Sequence, residues 1–224
     1  ALNPYSQNAA FMALAEQPEI RFVISNTTEA GITFDPACKF TDAPASSYPG
    51  KLVQLLYRRY KTFNGDPKKG LILMPCELIF LNGHHLKACI RQYIELWKED
   101  LGADYEGFKE WFEKYNYVCA TLVDRIVPGF PRKDIAAIQE KVGYNDNLVV
   151  QAEIFHLWVI ETEFDIEKEL PEVDIILGTT DYDKIADVVA DFYKTGKKTS
   201  VVGDVNTPVS YDLPRIQSTP KYSS

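Results

Sequence analysis

An apolar run within residues 70–83, GLILMPCELIFLNG, limits most strongly how this chain can fold. The run breaks off at Pro75 and Glu77 and closes in an Asn-Gly turn, which predicts a buried strand with polar groups at its carboxyl end. A second apolar run at residues 20–25 ends in the same way, in the polar stretch NTTEAG at residues 26–31. The sequence therefore predicts two buried strands that each deliver a polar loop.

A helical pattern separates the two predicted strands. Leucines and aromatic residues recur at helical spacing from Lys51 to Phe63, and Asn64-Gly65 ends the pattern. Two parallel strands joined by a right-handed helical crossover have both of their loops at one edge of the sheet, where open α/β proteins bind ligands. We expect any ligand site at that edge. The stretch Asn26–Glu29 can bind a ligand or simply cap its own turn, and the residues alone leave both readings open.

The rest of the chain completes an α/β prediction. Helical spacing predicts further helices over residues 8–16, 84–101, 105–115 and 132–142. A long, largely apolar strand is predicted from Asn147 to Ile160, with His156 as a core residue, and a small β-α tail follows. His84 and His85 are adjacent, so they cannot form a metal-binding pair at i, i+4 spacing, and a solvated helix start is expected for them.

Charge and composition exclude several classes of protein. The chain has 224 residues, 46% of them hydrophobic, and a formal net charge of −8, with no basic stripe that would neutralise phosphates. We therefore expect no nucleic-acid partner. No apolar run approaches the roughly twenty residues that a membrane span needs, and no signal peptide is recognisable. Four widely separated cysteines without metal-ligand spacing predict reduced thiols, no metal site and a cytoplasmic location.

Asp124 and Arg125 stand side by side in the otherwise apolar stretch TLVDRIVPGFP at residues 121–131. Burying a charge is costly unless the charge is paired or takes part in binding or catalysis, so Asp124 and Arg125 are candidates for a structural or functional role. The residues allow a structural ion pair or a functional one.

Three motifs together resemble the mannitol dehydrogenase family, and within it the tagaturonate reductases (altronate oxidoreductases). They are SNTTEAG at residues 25–31, PCEL with Asn-Gly at residues 75–83, and TLVDRIV with PGFP at residues 121–131. Their order, spacing and intervening helices match over about residues 1–161. The resemblance implies a Rossmann-like parallel sheet and an NAD-dependent hydride transfer between tagaturonate and altronate in hexuronate breakdown.

The resemblance also implies roles for particular residues. The loop with Ser25, Asn26 and Thr27 would lie beside the NAD cofactor, and Asn26 and Thr27 would approach its nicotinamide end. The other implied residues would line the cleft for a small sugar acid: Glu77, Asn82 and Asp124 would contact hydroxyls, and Arg125 would orient Asp124 or meet a carboxylate. A guanidinium suits a uronic acid because it can bind a carboxylate with two parallel hydrogen bonds.

Two parts that this chemistry requires in the family are not recognisable in the chain. No G-x-G-x-x-G turn, which cradles the cofactor pyrophosphate, occurs among the 224 residues, and the segment with the family's lysine base would follow Ile160. The chain also begins at Ala1 without a methionine. We therefore expect a fragment, without catalytic residues of its own and inactive by itself.

Residues 167–224 resemble a different family, the radical-SAM methylthiotransferases that modify a ribosomal protein. The sequence indicates a strand and turn up to Thr179, a helix over Tyr182–Tyr193 and an extended Pro-rich segment over Asp212–Tyr222. No cysteine follows Cys119, so an iron-sulfur cluster could not be held there in that family's way. We expect two domains, 1–161 and 162–224, and a chimeric junction near residues 161–168, such as a recombined reading frame or a sequence-assembly artefact.

Three functions remain open at this point. The first is part of an NAD-dependent oxidoreductase, and the second is a non-catalytic α/β module that binds a partner or a sugar acid. The third is part of a methylthiotransferase. The oligomeric state is left open by the sequence.

Overall fold

The structure is a computed structural model that describes residues 1–178 and 181–203. It divides into two compact units, residues 1–163 and residues 164–224. The division falls two residues after the domain boundary predicted at 161.

The first unit contains six α-helices. The second helix begins at Tyr48, three residues before the helical pattern in the sequence, because Ser47 caps it by accepting a hydrogen bond from the Gly50 N–H at 3.0 Å, and Pro49 lies in its first turn. The helices are α1 (Asn8–Ala13, continued by a 3₁₀ turn over Leu14–Glu16), α2 (Tyr48–Thr62), α3 (Asn82–Leu96), α4 (Lys98–Leu101), α5 (Tyr105–Tyr115) and α6 (Ile135–Val142).

Three parallel strands form the sheet of the first unit, in the order β1–β2–β3. They are β1 (Phe22–Ser25), β2 (Ile72–Pro75) and β3 (Tyr117–Val118). The central strand β2 is buried along its whole length, which explains its unbroken apolar sequence. The outer strand β1 pairs with β2 alone in the described part of the chain, and its Ile24 side chain is 59% exposed.

A separate antiparallel pair follows, formed by β4 (Ala120–Asp124) and β5 (Leu157–Glu161). The predicted strand from Asn147 to Ile160 is therefore wrong in length. The pairing starts at Ala120 opposite Glu161 and ends at Asp124 opposite Leu157, because β4 ends there. The segment before Leu157 pairs with no described strand, and its backbone forms a single bridge, between Gln151 and Gly129. His156 precedes the strand and is exposed, so its prediction as a core residue is also wrong.

The core of the first unit lies between α2, α3, α5 and one face of the parallel sheet. Three aromatic residues of α5 are buried in this core: Phe108, Trp111 and Phe112. Arg59 on α2 is also buried, with 1% exposure. Its guanidinium donates to four backbone carbonyls, those of Ala15, Gln17, Ile20 and Lys69. Arg59 thus fixes the chain leading into β1 against α2.

The second unit contains a parallel β-α-β arrangement; the sequence predicted its first strand and helix as a β-α tail, but not the second strand. Its elements are α7 (Ile166–Glu169), β6 (Ile175–Leu177), a 3₁₀ turn (Tyr182–Lys184), α8 (Ile185–Thr195) and β7 (Thr199–Val201). The side chain of Asp181 joins the 3₁₀ turn before α8 to the segment after β7, because it accepts from the Lys184 ammonium at 2.6 Å and from the Gly203 N–H at 2.7 Å. Thr179 and the predicted extended segment Asp212–Tyr222 lie outside the described residues.

All four cysteines are buried free thiols. Within the described ranges, no helix has the length and apolar character needed to cross a membrane. The same residues include no group of three or more histidine, cysteine or acidic side chains that could hold a metal ion.

Candidate functional site

The carboxyl ends of β1 and β2 lie side by side, as the sequence predicted for two parallel strands. Ser25 is opposite Pro75 in the strand register, and the Cys76 N–H donates to the Ser25 carbonyl at 2.6 Å. The loop after β1 and the loop after β2 therefore leave the sheet next to each other. This pairing brings Glu77 within reach of residues 25–27.

Glu77 is buried, with 3% exposure, and its carboxylate joins the two loops. One oxygen accepts from the Ser25 hydroxyl at 3.0 Å. The other accepts from both the Thr27 N–H at 3.1 Å and the Thr27 hydroxyl at 2.9 Å. Within the described residues, no cationic side chain lies at ion-pair distance from Glu77, so these three donors are what compensates its desolvation.

The loop after β1 folds tightly back on itself. A Cβ atom at Gly31 would lie 1.8 Å from the Thr27 hydroxyl oxygen, so only glycine fits that position. The Gly31 N–H also donates to the Thr28 carbonyl at 2.8 Å. Thr27 is thus held by Glu77 on one side and by the backbone near Gly31 on the other, while the side chain of Asn26 is exposed.

Tyr48, the first residue of α2, lies beside Ser25 and Glu77. Burial is the main reason why the pKa of its hydroxyl is raised to about 12, and Glu77 and Cys76 add to the shift, whereas a hydrogen bond with Ser25 opposes it. The hydroxyl is therefore neutral near pH 7.

Asn82 opens α3 and ties it to both sheets. Its Nδ2 group donates to the carbonyls of Pro75 (2.8 Å), Glu77 (3.1 Å) and Thr121 (2.9 Å). Its Oδ1 atom accepts from the N–H groups of Gly83 (2.8 Å) and Thr121 (2.9 Å). The side-chain amide is thereby fully engaged with the chain's own backbone. It fixes the start of β4 beside the end of β2.

Gly83, the second residue of α3, allows the helix to lie against the main chain at Cys119. A Cβ atom there would lie 2.2 Å from the Cys119 carbonyl oxygen, so α3 packs directly against the backbone between β3 and β4. The Thr121 hydroxyl adds a short hydrogen bond to the Pro75 carbonyl and one to the Cys76 sulfur at 3.6 Å. The position of β4, and hence of Asp124 and Arg125 at its end, follows from these contacts.

Asp124 and Arg125 are both exposed, and among the described residues they form no ion pair with each other. The reading as a buried structural ion pair is therefore wrong. The Arg125 Nε donates to the Glu153 carbonyl at 3.1 Å, and the Glu153 carboxylate accepts from the Ile126 N–H at 2.5 Å. Neither Asp124 nor Arg125 is hydrogen-bonded to Ser25, Thr27 or Glu77 within the described ranges.

Two surface grooves lie away from the buried Glu77. One, of about 350 Å³, adjoins Arg125 and is lined by Ile126, Pro128, Gln151, Ala152 and Glu153. The other, of about 410 Å³, lies by α1 and α2 and contains none of the predicted site residues. His84 and His85 are exposed at the start of α3, as expected.

The sequence-based reasoning missed Tyr48 and Thr121. Tyr48 lies before Lys51, where the helical pattern was taken to begin, although Ser47 and Pro49 on either side of it are typical of a helix start. Thr121 was part of a quoted motif without a role of its own, and its contacts depend on the placement of β4 beside β2.

Comparison with known proteins fits this arrangement of strands and loops. The family model for the mannitol dehydrogenase Rossmann domain matches residues 1–175. The chain belongs to the mannitol dehydrogenase family. This confirms the Rossmann-like α/β fold class predicted from the sequence, with a parallel sheet and helical additions.

Two curated relatives give the resemblance in detail. The altronate oxidoreductase of Phocaeicola vulgatus is 75% identical over 171 residues, which are 76% of this chain and 35% of that protein. The altronate oxidoreductase of Bacteroides thetaiotaomicron is 73% identical over the same shares. The chain thus spans about a third of the length of the curated relatives that it matches.

A solved structure has the same fold. The mannitol 2-dehydrogenase of Pseudomonas fluorescens, in a ternary complex with NAD and D-mannitol, matches 71% of this chain and 33% of its own, with a TM-score of 0.57 and 20% identity. The family match continues past Glu161, where the sequence-based resemblance was expected to stop, and it includes residues 161–168. The chimeric junction there stays a prediction.

Proposed function

We propose that this chain is part of an NAD-dependent tagaturonate reductase (altronate oxidoreductase) and forms one side of its cofactor and sugar-acid cleft. The observation that carries the proposal is the meeting of the Ser25–Gly31 loop and Glu77 at the carboxyl edge of parallel strands, where α/β enzymes bind ligands. The high identity to altronate oxidoreductases over 171 residues supports this choice of substrate. A cytoplasmic location is part of the proposal.

The cofactor side of the proposed cleft is the loop with Ser25, Asn26 and Thr27. Asn26 and Thr27 are exposed, so they can meet a nicotinamide, while Ser25 is buried and shapes the loop from below. NAD supplies the hydride acceptor and donor when it is bound. These residues fit only one end of the cofactor, because no G-x-G-x-x-G turn for the pyrophosphate occurs in the 224 residues.

The sugar-acid side of the proposed cleft is the end of β4. Arg125 uses its Nε atom within the protein, and its two Nη groups make no hydrogen bond to other described residues, so they can bind a carboxylate in a bidentate manner. Asp124 is exposed and can accept hydrogen bonds from sugar hydroxyls. The resemblance implies that Glu77 and Asn82 at the same edge also contact hydroxyls, but both side chains are buried and hydrogen-bonded to the chain itself, so the sugar-acid side is proposed for Asp124 and Arg125.

The test separates binding from turnover. We expect NADH to change the tryptophan fluorescence and uronates to raise the melting temperature, with tagaturonate-dependent NADH oxidation far below the ordinary enzyme rate of about 10 per second. Arg125→Gln should abolish the shift with uronates, and the exposed Arg132→Gln should keep it as a matched control. A response to uronates without one to NADH would instead identify a binding module. No response to either would refute the proposal.

We propose a separate origin for residues 167–224, as a fragment of a radical-SAM methylthiotransferase. The parallel β6–α8–β7 arrangement and the sequence resemblance support it. No cysteine follows Cys119, so we expect no iron-sulfur absorbance after anaerobic treatment with iron and sulfide. A single long DNA read across the codons for residues 161–169 tests the junction. An unbroken continuation into a lysine-bearing helical domain of the first family would refute it.

A further inference from the structure

The carboxylate of Glu77 is turned towards the chain itself. Its two oxygens accept three hydrogen bonds, one from the Ser25 hydroxyl and two from Thr27. Glu77 is 3% exposed, whereas Asn26 and Thr27 are exposed. A group that is buried behind the loop can set the position of the loop more readily than it can reach a ligand in front of it.

Because Glu77 holds Thr27, the contacts of Thr27 also fix the rest of the Ser25–Gly31 loop. One Glu77 oxygen binds the Thr27 N–H and its hydroxyl together, which fixes the backbone and side chain of Thr27 at once. The same hydroxyl oxygen lies where a side chain at Gly31 would be, so the two ends of the loop are packed on each other. The intervening Asn26–Ala30 backbone therefore takes its shape from Glu77.

Glu77 is itself held in place by residues of β1 and α3. Ser25 donates to it from the last position of β1, and Tyr48 from the start of α2 lies against Ser25 and Glu77. The Asn82 amide donates to the Glu77 carbonyl and thereby fixes the Glu77 backbone. The carboxylate thus has a fixed place from which to hold Thr27.

We propose that Glu77 is a positioning residue for the coenzyme side of the cleft rather than a substrate ligand. It holds the Ser25–Gly31 loop in the conformation that presents Asn26 and Thr27 to the nicotinamide end of NAD. This inference rests on the proposed function for the identity of the ligand. It assigns Glu77 to the cofactor loop instead of the sugar-acid contacts that the family resemblance implied.

Two variants distinguish the acceptor role of Glu77 from its charge. In Glu77→Leu both acceptors are lost, and we expect hydrogen exchange of the Thr27 amide to accelerate about tenfold or more, with NADH affinity reduced about tenfold. Glu77→Gln is the rescue variant, because its Oε1 can accept both Thr27 donors while its Nε2 donates to the Ser25 oxygen. It should keep both properties within about threefold of the unsubstituted chain.

A second pair of variants keeps the test decisive if Glu77→Leu does not fold. Thr27→Val removes one donor to the carboxylate and keeps the N–H contact, so it should change both properties in the same direction but less. Thr41→Val is the matched control, because Thr41 is exposed and lies outside the loop. Its hydroxyl makes no hydrogen bond to other described residues, and the substitution should change neither property. Amide exchange is read by NMR, and NADH affinity by titration of the tryptophan fluorescence.

Each outcome decides a part of the inference. Unchanged Thr27 exchange in Glu77→Leu, or in Thr27→Val if only that variant folds, would overturn the positioning role. Glu77→Gln as damaging as Glu77→Leu would show that the charge matters instead. Faster Thr27 exchange with unchanged NADH affinity would overturn the link to the coenzyme. If the unsubstituted chain shows no NADH response, the proposed function fails, and the exchange data still decide whether Glu77 holds the loop.

Discussion

Replacing Arg59 with methionine is the sharpest test of what holds the first unit together. The guanidinium donates to the carbonyls of Lys69 (2.6 Å), Gln17 (2.9 Å), Ile20 (2.8 Å) and Ala15 (3.2 Å). Methionine has a similar length and no donors, so all four carbonyls lose the guanidinium, although the Gln17 carbonyl keeps the Ile20 N–H at 3.3 Å. At about 1 kcal/mol for each contact, the loss is about 4 kcal/mol. That is a large fraction of the roughly 5–15 kcal/mol that stabilises a typical domain.

Urea denaturation followed by tryptophan fluorescence measures this loss. The three tryptophans, Trp97, Trp111 and Trp158, all lie in the first unit, so the signal reports on that unit. Arg59→Lys should cost about half as much, because an ammonium lacks the planar fork that reaches all four carbonyls.

The neighbouring Arg58 provides the matched control. It is exposed and forms a surface ion pair with Glu16, which is worth at most about 1 kcal/mol. Arg58→Met should therefore change the free energy of unfolding by about 1 kcal/mol or less. A loss at Arg59→Met no larger than that at Arg58→Met would refute the reasoning.

Three further predictions concern the site. Gly83→Ala would place a methyl group 2.2 Å from the Cys119 carbonyl oxygen, and we expect a loss of about 1–3 kcal/mol in the same urea assay; an unchanged midpoint would contradict the close packing. Asn82→Leu removes five hydrogen bonds to backbone groups and should cost about 2–4 kcal/mol, measured by thermal unfolding against the exposed His84→Leu as control. The pKa of Tyr48 is raised to about 12 in the folded state, so its contribution to stability is full below the unfolded value near 10 and is lost as the pH rises to about 12. Tyr48→Phe should flatten the fall in melting temperature across that range, and an equally steep fall in the variant would contradict the assignment.

The parts of the fold that the sequence predicted correctly have signals within a short stretch. Helix α5 was predicted with its observed bounds because Phe108, Trp111 and Phe112 recur at helical spacing. The buried strand β2 was recognisable because it is apolar on both faces and stops at a proline. Both signals depend only on neighbouring residues.

The strand β5 shows where such signals fail. Leu148, Val150 and Ile154 are apolar in sequence, but they are exposed, and the segment lacks a ladder because its partner β4 has only five residues. The length of a strand is set by its partner, which the segment's own composition does not reveal.

For the candidate site, the sequence predicted which residues lie at one edge of the sheet but not how their side chains are oriented. The sequence placed Ser25, Thr27 and Glu77 at one edge, and the structure joins them by direct hydrogen bonds. That Glu77 faces its own chain depends on Ser25 lying opposite Pro75, a register that no local pattern encodes. The complete use of the Asn82 amide likewise depends on Thr121, which is 39 residues away in sequence.

The outer strand β1 has a practical consequence for handling the protein. In the described part of the chain its backbone pairs with β2 on one side only, and Ile24 on it is 59% exposed. An exposed strand edge with apolar side chains is a template on which another strand can assemble. Concentrated samples should therefore self-associate through β1. A lysine at position 24 should increase solubility without touching either loop of the site.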